Sequence, residues 1–224
     1  MRSAQQLVID FVTFPVRAVL PVQESRWGLT SRPDERFDYV ARYVTGRVLD
    51  IGCGRNNTFV RRHAPPGSIG IDVFAYEGLT SDQIVEDMTN LPFEDQSFDT
   101  VTFIANVNHI PSGDRAAEFA EAFRVLRPGG RTIVTMGSKV AEVLVHRMVH
   151  TYDRVFGTNL DMDGERGMHE DEEFHLDDHE IRRLLTDAGF IDIHKHRFTT
   201  QWGLNHLFLG TRPATAGTRP RAVD

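Results

Sequence analysis

Five stretches of the chain carry side chains whose types and spacing could do chemistry. The first is Asp50, Gly52, Cys53 and Gly54, set between an apolar run and a helix-like stretch. Glycines in such a bend let the backbone turn tightly and let a ligand approach the main chain. Asp72 stands twenty residues after Gly52, where the next apolar run ends. A carboxylate there can accept both hydroxyl protons of a ribose. Asp87 and Met88 close a third, weaker run, and Asn106, Asn108 and His109 follow a fourth. Amides can orient a bound molecule by hydrogen bonding, and an imidazole can take a proton from it. The fifth stretch, 164–175, sets Arg166 and His169 among carboxylates, a composition that could recognise a substrate. Together these groups describe a nucleoside site with an adjoining place for a reacting partner.

Such residues need strands and helices to hold them. Residues 47–51, 69–71, 83–86, 98–105 and 131–136 read as short strands, and 34–44, 58–64 and 114–126 as helices. A turn at 128–130 (PGG) precedes the fifth strand. Asp177 with Glu180 predicts an acidic N-cap and capping box, opening a helix that Gly189 stops. Two more strands follow, near 190–198 and 203–211. Strands alternating with helices predict an α/β fold, a mostly parallel sheet with helices on both faces. Ligands of such sheets bind at the carboxyl ends of the strands, at the switch point. This puts 52–57, 72–74, 87–88, 106–110 and 137–139 at the site. Eleven of the sixteen residues in 7–22 are aliphatic or Phe, but Asp10, Arg17 and two prolines interrupt them. That segment is too short and broken to span a bilayer and reads as a helix, or kinked pair, covering the core. The expected organisation is a helical cap over 1–45, a catalytic domain over 46–211 with a lid near 138–175, and a disordered tail at 212–224.

The chain has 224 residues and a formal charge of −7. Residues 161–180 hold ten carboxylates and one arginine, so the remainder is close to neutral. No run of Lys or Arg marks a nucleic-acid face, which argues against DNA or RNA as partner. The one cysteine permits no intrachain disulfide and suits a reducing cytoplasm. His169, His175 and His179 are types that ligate metals, yet they fall on no clean helical face, and no metal is expected.

Two features decide which nucleoside fits. A dinucleotide fingerprint wants a third glycine where Asn57 stands. Each of the first three strands instead brings an aspartate, Asp50, Asp72 and Asp87, a setting suited to the sulfonium and amino groups of S-adenosylmethionine (SAM). VLDIGCG (48–54), GIDVF (70–74), EDMTNLPFEDQSFDTV (86–101) and RVLRPGGRTIVT (124–135) resemble, in order and spacing, the successive motifs of class I SAM-dependent methyltransferases. AGF (188–190) is similar to that family's C-terminal end, and the likeness covers roughly 45–211. One departure is Asn56, where the family usually has Gly.

The resemblance implies a Rossmann-like sheet of seven strands, the last antiparallel, with SAM as cofactor and S-adenosylhomocysteine as product. Asp50 and Gly52 would hold the methionine moiety, and Gly54 would let the loop approach it. Asp72 would bind the ribose, and Asp87 with the Met88 backbone would read the adenine edge. Cys53 and Val73 fall within these cofactor-binding motifs, Cys53 as a packing residue rather than a nucleophile. Asn106 would face the transferred methyl, and His109 and His169 are the candidates for proton transfer or acceptor recognition. The expected acceptor is a small molecule, a natural product, lipid-like or aromatic metabolite, methylated by in-line displacement in a bacterial biosynthetic setting. A SAM-binding module without methylation, or an NAD(P)-dependent oxidoreductase, are the alternatives.

Overall fold

A computed structural model describes residues 2–19, 25–137 and 176–214. In chain order the elements are α1 (Ala4–Val19), α2 (Arg32–Ala41), β1 (Val48–Ile51), α3 (Thr58–His63), β2 (Ile69–Ile71), β3 (Phe98–Ile104), α4 (Arg115–Val125), β4 (Leu126–Gly137), α5 (Asp178–Ala188), β5 (Ile191–Arg197) and β6 (Asn205–Thr211). The strands form one sheet in the order β2-β1-β3-β4-β6-β5. β2, β1, β3 and β4 run parallel, and β6 is antiparallel to both of its neighbours. The chain crosses from the β2 side to the β3 side of β1, so the switch point lies between the ends of β1 and β3.

Central strands buried on both faces demand near-continuous apolar sequence, and β1 and β3 have it. On one face Leu49, Ile51, Val101 and Phe103 pack with α4 and α5, and the Phe103 and Phe119 rings stack at 4.8 Å. On the other, Val48, Ile133 and Leu207 pack with Tyr39, Val40 and Phe59 of α2 and α3.

Several sequence expectations shift by local physics. Among the described residues the sheet has six strands, and the stretch expected as a third strand, 83–86, is a single parallel bridge. The Asp72 N–H donates to Gln83 O and the Val85 N–H to Asp72 O. A polar segment at the sheet edge gains too little burial to extend that ladder. The turn expected at 128–130 is absorbed into β4 as an irregularity, where Gly129 and Gly130 exchange hydrogen bonds with Arg212. Arg212 also donates to the carbonyls of Phe123 and Arg124 and lies over the Phe123 ring, so order extends past the expected tail boundary. At α5 only half of the capping box forms. Asp177 accepts the Glu180 N–H at 2.7 Å, while the Glu180 carboxylate pairs with Arg115.

The largest correction concerns α1. The face it buries carries Asp10 and Arg17 with Phe14 between them, so a polar network more than apolar packing seats this helix. Arg17 donates to Glu35 at 2.8 Å, to Thr30 O at 2.9 Å and to the Asp10 carbonyl. Arg2 bridges Asp10, Glu35 and Asp38. Gln201 and the Thr200 hydroxyl complete the shell around Glu35, and Tyr39 bonds both Thr199 and Thr200. Buried charges persist only when paired and hydrogen-bonded in this way. Pro15 inside α1 has no N–H, so the Phe11 carbonyl one turn earlier loses its helical partner. The Trp202 indole donates to that carbonyl at 2.9 Å.

Candidate functional site

The switch point is built from three loops. After β1 the chain turns at Gly52 (φ +70°), whose N–H and that of Cys53 both donate to Ile71 O at the end of β2. A Cβ on Gly52 would lie 2.2 Å from Asn106 Nδ2, so the close approach of the two loops requires glycine. Gly54 sits at φ +65°, ψ −168°, a region essentially closed to other residues. Apart from its chain neighbours, no atom of the described residues lies within 4 Å of where its Cβ would be, so the backbone is open there to the described chain. Asn56 and Asn57 follow at φ +61° and +46°, left-handed values that asparagine tolerates. Asn56 therefore keeps the bend that glycine would make, and Asn57 lies against Gly70, whose missing side chain makes the room.

Asp72 is buried and holds two loops together. Its Oδ2 accepts the Gly54 N–H at 2.9 Å and its Oδ1 the Phe74 N–H at 3.1 Å. Each oxygen keeps a further lone pair. Asp50, also buried, accepts from the Thr102 hydroxyl at 2.6 Å. Burial pushes its carboxyl up to about 7; the Thr102 bond opposes this and the neighbouring Asp72 charge adds to it. Burial, with the Asp50 and Asp72 charges behind it, raises the Cys53 thiol as well, which leaves it a packing residue. Val73 and Phe74 are exposed beside the loop, so Phe74 is not a core residue; its ring meets Tyr76 at 5.6 Å. Asp87 lies at the surface and accepts from the Thr89 N–H and hydroxyl, while Met88 belongs to the core.

After β3 the chain turns at Ala105 (φ +55°), pinned by its N–H to Thr135 Oγ1 at 2.9 Å. This delivers Asn106 across the switch point. Its Nδ2 donates to Ile51 O at 2.6 Å, and its Oδ1 is buried with no partner among the described residues. An unmet buried acceptor is costly and marks a place for a donor. His109 ends the single-turn helix Val107–His109, with Nε2 3.3 Å from Asn108 Nδ2. The structure thus gathers Asp50, Gly52, Cys53, Gly54, Asp72, Val73 and Asn106 on one edge. His169 lies outside the described residues, as do His146, His150, Arg166, His175 and the whole of 138–175. Among the described residues no three His, Cys, Asp or Glu cluster as metal ligands, and no helix is long and apolar enough to cross a membrane.

Sequence reasoning missed three groups. Thr102 supports Asp50 and Thr135 pins Ala105; their only signal is a hydroxyl inside an otherwise apolar strand. Glu118 of α4 is buried, and its carboxyl is pushed up to about 7 by burial, then by the Asp114 and Asp87 charges. Its helical position gave no sign that a carboxylate would point inward.

Comparison with known proteins gives the same picture. A family described as a methyltransferase domain matches residues 49–134. The ubiquinone/menaquinone biosynthesis C-methyltransferase UbiE of Cellvibrio japonicus is 31% identical over 205 residues, covering 80% of each chain. Its counterpart in Pseudomonas fluorescens is 32% identical over 193 residues, covering 75% of this chain and 73% of the relative. Among solved structures, a SAM-dependent methyltransferase of Methanosarcina mazei superposes with a TM-score of 0.54 at 22% identity, covering 79% of this chain and 98% of that one.

Proposed function

The chain belongs to the class I SAM-dependent methyltransferases, and from that premise we propose that it methylates a small, apolar aromatic acceptor of the quinol type. The curated relatives are named for C-methylation in ubiquinone and menaquinone biosynthesis, which supports a ring carbon as the acceptor atom. The observation that carries the methyl-transfer reading is the pairing across the switch point of Gly52 with Asn106 and of Gly54 with Asp72, while the acceptor class rests on those relatives.

The residues present fit SAM. The Asn106 Oδ1, without a partner among the described residues, would accept from an ammonium group, and the Gly54 backbone, open to the described chain, leaves room beside the loop. Bound SAM supplies a methyl group on a sulfonium cation, which makes that carbon electrophilic. The remaining work belongs to the chain. Asp72, already fixed by two N–H donors, offers its spare lone pairs to ribose hydroxyls. Asp50, poised near neutrality, gives up its proton when a cation arrives nearby and then stands as a full negative charge behind the loop. Val73 and Phe74 would offer apolar surface to the nucleoside, and Asp87 with the Met88 backbone would read the adenine edge. Asn106 would orient the methionine side, and His109 would take the phenolic proton of the acceptor and return it to the oxygen as the proton on the methylated ring carbon leaves to water and the ring regains its aromaticity. Positioning at near-attack distance contributes most of the rate, because displacement at carbon needs alignment more than activation.

The test is calorimetric titration with SAM, S-adenosylhomocysteine and NAD, followed by transfer of labelled methyl to a panel of short-chain hydroquinones. Micromolar binding of the first two, none of NAD, and label on a ring carbon are expected. Asp72→Ala should weaken SAM binding at least tenfold, and His109→Ala should slow turnover with SAM affinity unchanged. Unchanged SAM affinity in the first variant would overturn the cofactor site, and label on no acceptor of the panel would overturn the substrate class.

A further inference from the structure

The α1 helix is inverted relative to an ordinary surface helix. Its two charged residues, Asp10 and Arg17, are buried in the polar network, while Val8, Phe11, Val12 and Val16 are 50–67% exposed. At 100° per residue these four share one face of the helix, which carries no charge. An indole stands on either side of the stripe. Trp202, 53% exposed, packs against Phe11 and Phe14 and bonds the Phe11 carbonyl. Trp27, 84% exposed, tips a tight turn whose Gly28 carbonyl accepts from Gln6 on the other flank of α1. Each indole has an arginine neighbour. Arg26 precedes Trp27, and Arg197 packs against the turn at Gly203.

We propose that this face docks on the surface of an anionic lipid bilayer. An uncharged apolar stripe flanked by tryptophans, with arginines beside them, is the chemistry of the headgroup boundary. Aliphatic side chains enter the acyl layer, indoles settle at its edge, and the exposed Arg197 beside Trp202 meets phosphates. A second copy of the chain fits less well, because two copies of this face bring like charges together with no anion between them, whereas lipid phosphates pair with those charges. The face also sits where docking would serve catalysis. Asn205 at the start of β6 pairs with Gly137 at the end of β4, so the Thr199–Gln201 turn and α1 packed on it lie along the carboxyl edge of the sheet, the edge of the switch point. Docking would bring that edge to a membrane-dissolved acceptor. The surface itself is argued without the acceptor reading, so the two can fail separately.

The chain has two tryptophans, and both flank the stripe, so intrinsic tryptophan fluorescence reads this face alone. The full chain is titrated with vesicles of phosphatidylcholine, with and without phosphatidylglycerol, and the mixtures are sedimented. The expected result is a blue shift, protection from acrylamide quenching and co-sedimentation, all stronger with phosphatidylglycerol. Val8→Asp combined with Val12→Asp should weaken vesicle binding at least tenfold, and the milder Val12→Gln several-fold, with SAM affinity and circular dichroism unchanged in both. No binding by the native chain, or equal binding by these variants, overturns the proposal. So does a native dimer by light scattering that the aspartate variant splits, since the face would then belong to a second copy.

Discussion

Replacing Asp50 with asparagine should change how stability depends on pH more than it changes stability at any one pH. Burial pushes the Asp50 carboxyl up to about 7, against the ordinary 3.8 of an aspartate in the unfolded chain. At acid pH the group is protonated in both states and costs folding nothing. As pH rises past the unfolded value the unfolded chain loses its proton first, so the native state falls behind until the folded value is passed. The penalty is about 2 kcal/mol at pH 5 and about 4 kcal/mol at pH 8. Asparagine keeps an oxygen for the Thr102 hydroxyl and never ionises, so its own cost is constant across pH. The stability of D50N relative to the native chain should therefore rise by about 2–3 kcal/mol between pH 5 and pH 8, roughly 5–10 °C in melting temperature for a domain of this size. Urea unfolding of both proteins, free of ligand, at four pH values in that range measures it. Other titrating groups cancel in the comparison unless they touch Asp50. Parallel curves would refute a buried carboxyl held near neutrality. Stability and function should part company here, because D50N removes the charge proposed to face a cation. Its SAM affinity should fall several-fold at pH 8, and the proton that the native chain releases on binding near pH 7 should disappear.

Two further predictions rest on packing. Gly52→Ala puts a Cβ 2.2 Å from Asn106 Nδ2 at a positive φ, so the Asn106 bond to Ile51 O must break; a loss of about 2–4 kcal/mol in unfolding free energy is expected, with SAM binding abolished in calorimetry. Pro15→Ala restores an N–H for the Phe11 carbonyl, so Trp202→Phe should cost about 1 kcal/mol in the native background and markedly less in the Pro15→Ala background, a double-mutant cycle read by urea unfolding.

Much of this protein was legible in the sequence because its signals are local. Apolar runs short enough for strands, helical spacing between them and glycines at strand ends are short-range features, and they placed β1, β2, β3, α4, α5, β5 and β6 within a few residues. The motif order placed Asp72 and Asn106 at strand ends, and the known tolerance of asparagine for left-handed dihedrals anticipated the bend at Asn56. What residues do across the sheet is set by partners far apart in the chain. That Asn106 seats against Gly52 with one oxygen unmet, that Thr102 underlies Asp50, and that Glu118 points inward depend on how β1, β3 and α4 stack. The same holds for the edge segment 83–86, where strand propensity was present but a neighbour on only one side left a single bridge.

The N-terminal helix shows the division most clearly. The sequence by itself determined that 7–22 is rich in apolar residues and able to form a helix, since composition and periodicity fix that much. It could not determine which face turns inward, because Asp10 and Arg17 lie opposite the apolar stripe and either face could in principle be buried. Tertiary structure decided it. Arg2, Glu35, Thr200 and Gln201, drawn from three distant parts of the chain, together satisfy charges that none could satisfy alone, and the apolar face was left outside.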